Sequence, residues 1–459
     1  MLVSALTYRL SRWRERVRST HSDHLRIARG ALRVSAFVLA GRCAGALKEM
    51  AIAYKYGVSN IVDAYQFTTT LVTWLPITLL GVMGFVLVPT FVSLRPRARV
   101  EQAQFVGEME GAAAVAGMLF ALALYMAWPV VVRAIGSDLP PLTREMCWQL
   151  MLWLAPTGVL ILASGIYAGR LQSRERHINS LLEGLPATVI LISVLVQPGR
   201  SLVPLILGTV VGHALQVVFL KTLATRVDGV SSRVRFSLNS PEWEPMWLSV
   251  RILMIGQIAL CFCAPLDQYF AAHLGKNSSS ILGYANRVLA LLLSMGAMAT
   301  AQAILPILSD ILQRGDAKHA RRTALLWALA SLALGLAGVA VSWLLAPKMI
   351  AVLFQRGAFT AEDTVKVTAI FRWGLLQVPF YFALQVLSQL FASERRFRLT
   401  ANIALFCFAL KVAGNFVFVR HFGLAGVQIS TALMYASAFL LSMGMLCGGG
   451  AMRRSGNAG

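Results

Sequence analysis

Arg42 and Lys48 lie inside the apolar stretch 31–56, and Arg287 lies near the start of another at 281–308. A cation at mid-bilayer depth costs a few kcal/mol, so such residues turn towards a partner or a water-filled cavity. Positions 42, 45, 46 and 49 follow the i, i+3, i+4, i+7 spacing of one helix face, with Gly45 expected to allow close helix approach. Lys48 is followed directly by Glu49, and Arg287 by position follows Tyr284 and Asn286. A cavity lined by Arg42, Lys48 and Arg287 with Glu49 as the nearest carboxylate is cationic overall. That suits an anion such as a pyrophosphate group, because arginine presents a two-pronged fork to phosphate oxygens. The competing reading is that these charges only pair with one another across helices.

Four other cations, Arg33, Arg251, Arg372 and Lys411, fall near the ends of apolar stretches and are expected to snorkel to the interface. Asp63, at the mouth of the second stretch, is expected to cap that same helix by accepting its amide hydrogens. Asp267 is the remaining acid within the apolar stretches of the second part of the chain.

Other chemistries find no support. The six cysteines (Cys43, Cys147, Cys261, Cys263, Cys407, Cys447) have no metal-site spacing and read as small packing residues. Gly448–Gly450 lacks the lysine of a phosphate-binding loop and follows no strand. The seven histidines are scattered; His213 alone falls inside an apolar stretch, as packing or as a proton relay. No catalytic constellation, metal site or cofactor is expected.

The elements that must position these charges follow from composition. The chain has 459 residues, 57% hydrophobic and 14% charged, with a mean hydropathy of +0.66. A soluble protein of this size needs far more charged surface. Apolar runs near 31–56, 64–92, 111–133, 146–169, 178–196 and 201–220, then 246–271, 281–308, 323–346, 367–392, 400–419 and 424–447, have the length of membrane spans. Pro156, Pro186 and Pro379 mark candidate kinks. No cleavable leader is expected, because the first 30 residues are arginine-rich and too polar.

A net charge of +22 would suggest nucleic acid in a soluble protein, but its placement follows the membrane instead. With both termini on one side, that side carries 26 Lys/Arg, the opposite side 9, and the spans 7. This bias places both termini in the cytoplasm of an inner-membrane protein, with its basic loops against anionic lipid headgroups and no nucleic-acid partner.

The chain repeats at a spacing near 220: Pro129 answers Pro347, Pro156 answers Pro379, and Ser173–His177 answers Ser393–Phe397. The expected architecture is all-α, about twelve spans in two six-helix pseudo-repeated halves around a central cleft. The expected segments are a basic 1–30, a first half 31–225, a linker 226–245, a second half 246–447 and a tail 448–459. The linker ends in Pro241–Pro245, which carries Trp243 and is expected at the membrane interface.

Four stretches carry a family resemblance: Gly41–Glu49 with Tyr56–Gly57 and Asp63–Tyr65; Tyr284–Arg287 with Leu305–Ser309; Leu353–Thr364; and Ala383–Leu387 through Asn415 to Gly423–Gly426. They resemble the MviN-type (MurJ-like) lipid II flippases, a branch of the multidrug/oligosaccharidyl-lipid/polysaccharide exporter superfamily. The resemblance implies a flippase, not an enzyme, that moves an undecaprenyl-pyrophosphate-linked saccharide by alternating access. It implies pyrophosphate binding by Arg42, Lys48 and Arg287, with Glu49, Asp63, Asn286 and Arg356 supporting or gating. Partners would be the lipid-linked glycan, membrane lipids and glycan-assembly enzymes. Three departures bear on the substrate, the first being Asn286 where the family has Asp. Trp74–Thr78 lacks the family's basic pair, and twelve spans stand where the family has fourteen. These departures favour an exopolysaccharide or capsule intermediate over the peptidoglycan precursor. The alternatives are a small-molecule antiporter, which needs an acidic cavity, and a non-transporting scaffold of an envelope glycan assembly complex.

Overall fold

A computed structural model describes residues 22–135, 139–174, 178–313, 316–394 and 396–448, with backbone alone at 22–38 and 295–310 among others. The expected tail and most of the basic first segment lie outside these residues, as does the Arg33 side chain.

Every described element is a helix. The first half comprises α1 (Ser22–Tyr56), α2 (Asn60–Leu94), α3 (Arg99–Ile135), α4 (Pro141–Leu154), α5 (Thr157–Ser173), α6 (Asn179–Leu182), α7 (Leu185–Val196) and α8 (Val203–Asp228). The second comprises α9 (Trp243–Cys261), α10 (Cys263–His273), α11 (Ser278–Gln313), α12 (Ala317–Phe354), α13 (Ala361–Leu375), α14 (Val378–Ser393), α15 (Phe397–Phe422) and α16 (Leu424–Gly448). Backbone groups in hydrocarbon must be satisfied within their own segment, which selects helices for such apolar runs. Large apolar side chains such as Met126, Leu334 and Leu344 stay exposed on the outside of the bundle, as a lipid-facing surface requires.

The repeat is visible in how helices break. α4 and α5 meet at a 42° bend next to Pro156, and α13 and α14 meet at a 41° bend just before Pro379. Proline lacks the amide that would continue the ladder, so each break falls where the sequence removes a donor. Pro186 instead starts α7 at a position where its missing amide costs nothing. Six described helices are long and apolar enough to span a membrane, or eight when each bent pair counts as one. Of the twelve expected stretches, 31–56, 178–196, 246–271 and 281–308 are not among these eight; α1 carries Arg42, Lys48, Glu49 and Lys55, α6/α7 and α9/α10 are short pieces, and part of α11 lies outside the residues whose side chains are described.

The halves are joined at the end where α1 stops and α2 begins. Asp63, in the first turn of α2, accepts from the backbone amides of Asn277 and Ser280 (2.7 Å to Ser280) and from the Ser280 hydroxyl. It therefore caps α11 of the other half, not its own helix as expected. The carboxylate suits the positive end of α11 and satisfies its otherwise open amides. The Tyr284 hydroxyl donates to the Gly57 carbonyl (2.9 Å), and the Ala358 amide donates to the Tyr54 carbonyl (2.8 Å). Tyr284, fully buried, packs against Phe354 and Phe359 at centroid distances of 5.1 and 5.2 Å. Gly57 and Gly357 both have φ of +60°, and a Cβ on either would come within 2.4 Å of a carbonyl oxygen across the junction. The 353–364 stretch has a local role too: Thr360 and Asp363 form a reciprocal capping box that starts α13.

At the opposite end, the linker is strapped to α3. Arg235 donates its backbone amide to the Gly107 carbonyl (2.9 Å). Glu108 accepts from the Ser240 amide (3.1 Å) and the Trp243 indole (2.8 Å), and Glu110 accepts from Ser232 (2.7 Å) and Tyr167 (2.6 Å). Trp243 is buried in this cluster with Phe105 and Met246.

Gly57→Ala is expected to force the Tyr54–Gly57 and Gly357–Ala358 backbones apart. The check is labelling of a cysteine introduced at Asn277 by a membrane-impermeant maleimide, in a background without reactive cysteines. Labelling should rise in the Gly57→Ala protein; equal labelling would show that the junction tolerates a side chain there.

Candidate functional site

The intramembrane charges picked out by type converge where α1 crosses α11. Glu49 is 4% exposed, and its Oε1 lies 2.7 Å from Lys48 Nζ and 3.0 Å from Arg287 Nε. One carboxylate oxygen thus pairs with a cation of its own helix and a cation of the other half. Its second oxygen, Oε2, is buried without a partner among the described residues. Both cations retain unused donors: Arg287 is 47% exposed and turns its guanidinium to open space.

A cavity of about 200 Å3 opens beside this triad, lined by Arg42, Gly45, Ala46, Lys48, Glu49, Met50, Arg287, Val288 and Phe354, with other apolar residues. Three cations face it and one carboxylate, so the lining is cationic. Arg42 Nε is buried and unpartnered, and Glu183, across from the start of the cavity, lies within electrostatic reach of Arg42. Gly45 does not mediate helix contact: nothing lies within 4 Å of where its Cβ would be, so it widens the cavity. The close approach falls at Gly41, whose Cα is 2.7 Å from a Cβ built on Gly184. Here the chain between α6 and α7 meets α1.

The other expected residues are placed differently. Asn286 accepts from Gln428 (2.7 Å), a contact to α16 inside the second half. Arg356 is exposed, and its guanidinium donates to the Val352 carbonyl (2.8 Å), closing the end of α12 without entering the cavity. Asp63 belongs to the inter-half junction. His213 donates to its own helix at the Thr209 carbonyl (2.9 Å) and lies within electrostatic reach of Lys48. Among the described residues no group of His, Cys, Asp and Glu could hold a metal ion.

Two features were not anticipated. Lys411 does not snorkel: it has no exposure and lies 2.7 Å from Asp267. Glu108 and Glu110, which hold the linker, look in sequence like the charged edge of a span, and only their i, i+2 pairing on α3 hints at a common task.

Two pseudo-repeated helical halves meeting over one charged cavity define a multi-pass membrane protein with the exporter-superfamily fold. The likeness to solved structures agrees. A structure titled "Lipid II flippase MurJ, inward closed conformation" superposes with a TM-score of 0.76 at 17% identity, covering 90% of this chain and 87% of that one. An inward-facing multidrug-resistance MATE family transporter gives 0.67 at 15% identity, covering 88% and 94%. The family profile described as "Lipid II flippase MurJ" matches residues 52–447, and the chain belongs to that family. A relative from Bdellovibrio bacteriovorus, named a probable lipid II flippase MurJ, is 30% identical over 52% of this chain and 46% of its own length. A Synechocystis relative of the same name is 25% identical over 87% of this chain and 77% of its own. The chain thus spans about half the length of the first relative and about three quarters of the second.

Glu49→Gln is expected to leave Lys48 and Arg287 without their shared counter-charge. The loss should be about 1–3 kcal/mol of stability, below the 3–5 kcal/mol of a fully buried pair because Arg287 is half exposed. Thermal unfolding of the purified protein in detergent reads it, and an unchanged midpoint would mean that the triad carries no net stability.

Proposed function

We propose that this chain is a flippase for a polyprenyl-pyrophosphate-linked saccharide, moving the headgroup across the inner membrane while the polyprenyl tail stays in lipid. One observation carries the reading: Arg42 and Lys48 of one half and Arg287 of the other face a single cavity that contains one carboxylate. A pyrophosphate diester supplies the two negative charges that this lining lacks. The relatives' names point the same way and favour a peptidoglycan precursor; none of the named relatives speaks for an exopolysaccharide or capsule intermediate.

The geometry supports a sequence of events. The incoming pyrophosphate takes the unused donors of Lys48 and Arg287, and its two charges draw both cations away from Glu49. Once Arg287 bonds to the ligand, the ion pair that ties α1 to α11 is released. The bonds made by Asp63, Tyr284 and Ala358 then hold the junction alone, and the halves part at that end. The cavity of about 200 Å3 is smaller than the roughly 300–1,000 Å3 of sites that enclose drug-sized ligands, so a saccharide needs this separation. Both termini face the cytoplasm in this reading, by the 26 to 9 distribution of basic loop residues. The junction at Gly57 and Ala358 then closes the periplasmic side. A membrane potential supplies roughly 2.3 kcal/mol per net charge per 100 mV. Basic loops engage anionic lipid headgroups, and glycan-assembly enzymes would deliver the substrate. Export of cationic drugs is disfavoured, because the cavity's one carboxylate is already paired with two cations and the lining stays positive.

The test is transbilayer movement of a fluorescent polyprenyl-pyrophosphate saccharide in proteoliposomes. Arg42→Gln, Lys48→Gln and Arg287→Gln should each slow it roughly 10- to 100-fold, the worth of about 1.5–3 kcal/mol per charged hydrogen bond. Lys48→Arg should keep most of the rate. Wild-type rates in all three glutamine variants, or no movement by the native chain, would sink the proposal.

A further inference from the structure

A second polar cluster lies within the second half, and none of its residues lines the cationic cavity. α10, α15 and α16 bring Asp267, Lys411, Asn415, Val427 and Thr431 together in an otherwise apolar bundle. The Lys411 ammonium is 2.7 Å from Asp267 Oδ1 and 3.2 Å from the Val427 carbonyl, and it also donates to the Thr431 hydroxyl. Its three N–H groups are therefore all used. Asn415 Nδ2 donates to the same Asp267 oxygen (3.1 Å), yet Asn415 Oδ1 is buried and has no donor. Lys411 and Asn415 both have no exposure.

Three oxygens surround the ammonium, and a fourth, Asn415 Oδ1, belongs to the side chain that binds the same carboxylate and has no donor among the described residues. A carboxylate, a carbonyl, a hydroxyl and an amide oxygen are hard donors from three helices, and together they carry one negative charge. Divalent ions demand more: six to eight oxygens for calcium, or a near-ideal octahedron for magnesium. One charge and this small set of oxygens suit a monovalent cation, which has no directed bonds.

We propose that the Lys411 ammonium is a built-in monovalent cation, filling an alkali-ion type of oxygen site around Asp267 so that this half needs no free cation. Removing the ammonium turns the same site into one that binds Na+ or K+. Without its counter-charge Asp267 would otherwise be a partly buried, unpaired carboxylate, the situation a free cation relieves.

The experiment measures thermal unfolding of the purified full chain in NaCl or KCl against choline chloride at equal ionic strength. The native chain should unfold at the same temperature in all three. Lys411→Ala should unfold lower than the native chain in choline chloride and regain several degrees, saturably, as Na+ or K+ is titrated in. Lys411→Asn, which also leaves space at the site, should respond likewise. Asp267→Asn in the Lys411→Ala background should abolish the response. A variant that can be purified only in the presence of alkali ions counts as the expected response. A cation-specific rise in the native chain overturns the proposal. So does the absence of any alkali-ion response or rescue in both single variants. The readout is cation binding, so it stands or falls separately from the flippase reading.

Discussion

A single carboxylate oxygen, Oε1 of Glu49, holds cations from both halves of the protein, and the structure is organised around what that contact demands. In a low-dielectric interior none of the three charges is stable alone. Glu49 therefore fixes the depth at which α1 and α11 cross and keeps Arg287 turned towards the cavity. It also leaves a deficit, since Oε1 serves two cations while Oε2 serves none. The site is held together without being neutralised, which is the condition a binding site for an anion has to meet.

The junction beyond the triad is built in another way. Main-chain groups take part in most of its bonds, Ala358 to Tyr54, the Asn277 and Ser280 amides to Asp63 and the Tyr284 hydroxyl to the Gly57 carbonyl, with Gly57 and Gly357 where the chains approach closely. Such contacts need exact registration of two main chains and offer few intermediate arrangements. Asp63 adds an electrostatic reason for closure, because separation would return the first amides of α11 to an unsatisfied state. A junction of this kind opens as a unit, whereas the Glu49 triad can exchange one partner at a time.

Much of this was legible in the chain, and the exceptions share a cause. Arg42, Lys48, Glu49 and Arg287 stood out because a charge in an apolar run is conspicuous whatever it contacts. The bends near Pro156 and Pro379 were legible because proline acts locally on its own helix. Asp63 was assigned to its own helix because capping rules are local, whereas its carboxylate reaches a helix more than 200 residues away (|i−j| of 214 to Asn277). Lys411 looked like a snorkelling residue because distance from a span end says nothing about which way a side chain faces. The Gly57–Ala358 contact had no signature at all, since a backbone carbonyl accepting a backbone amide leaves no trace in residue type. Local chemistry was readable; pairing between distant segments was not.

The distribution of charge between the two regions bears on how movement could be driven. In the second half Lys411 and Asp267 cancel, and they do so away from the cavity. In the cavity three cations meet one carboxylate, and Glu183 lies within electrostatic reach of Arg42. An anion with two charges would bring the cavity close to neutrality, and the occupied site could then cross from one exposure to the other with little net charge. In the proposed cycle the empty site would return with its cations drawn onto Glu49. The carboxylate that gives way to the ligand would then lower the charge left exposed on the return, so that one residue on α1 would serve both directions.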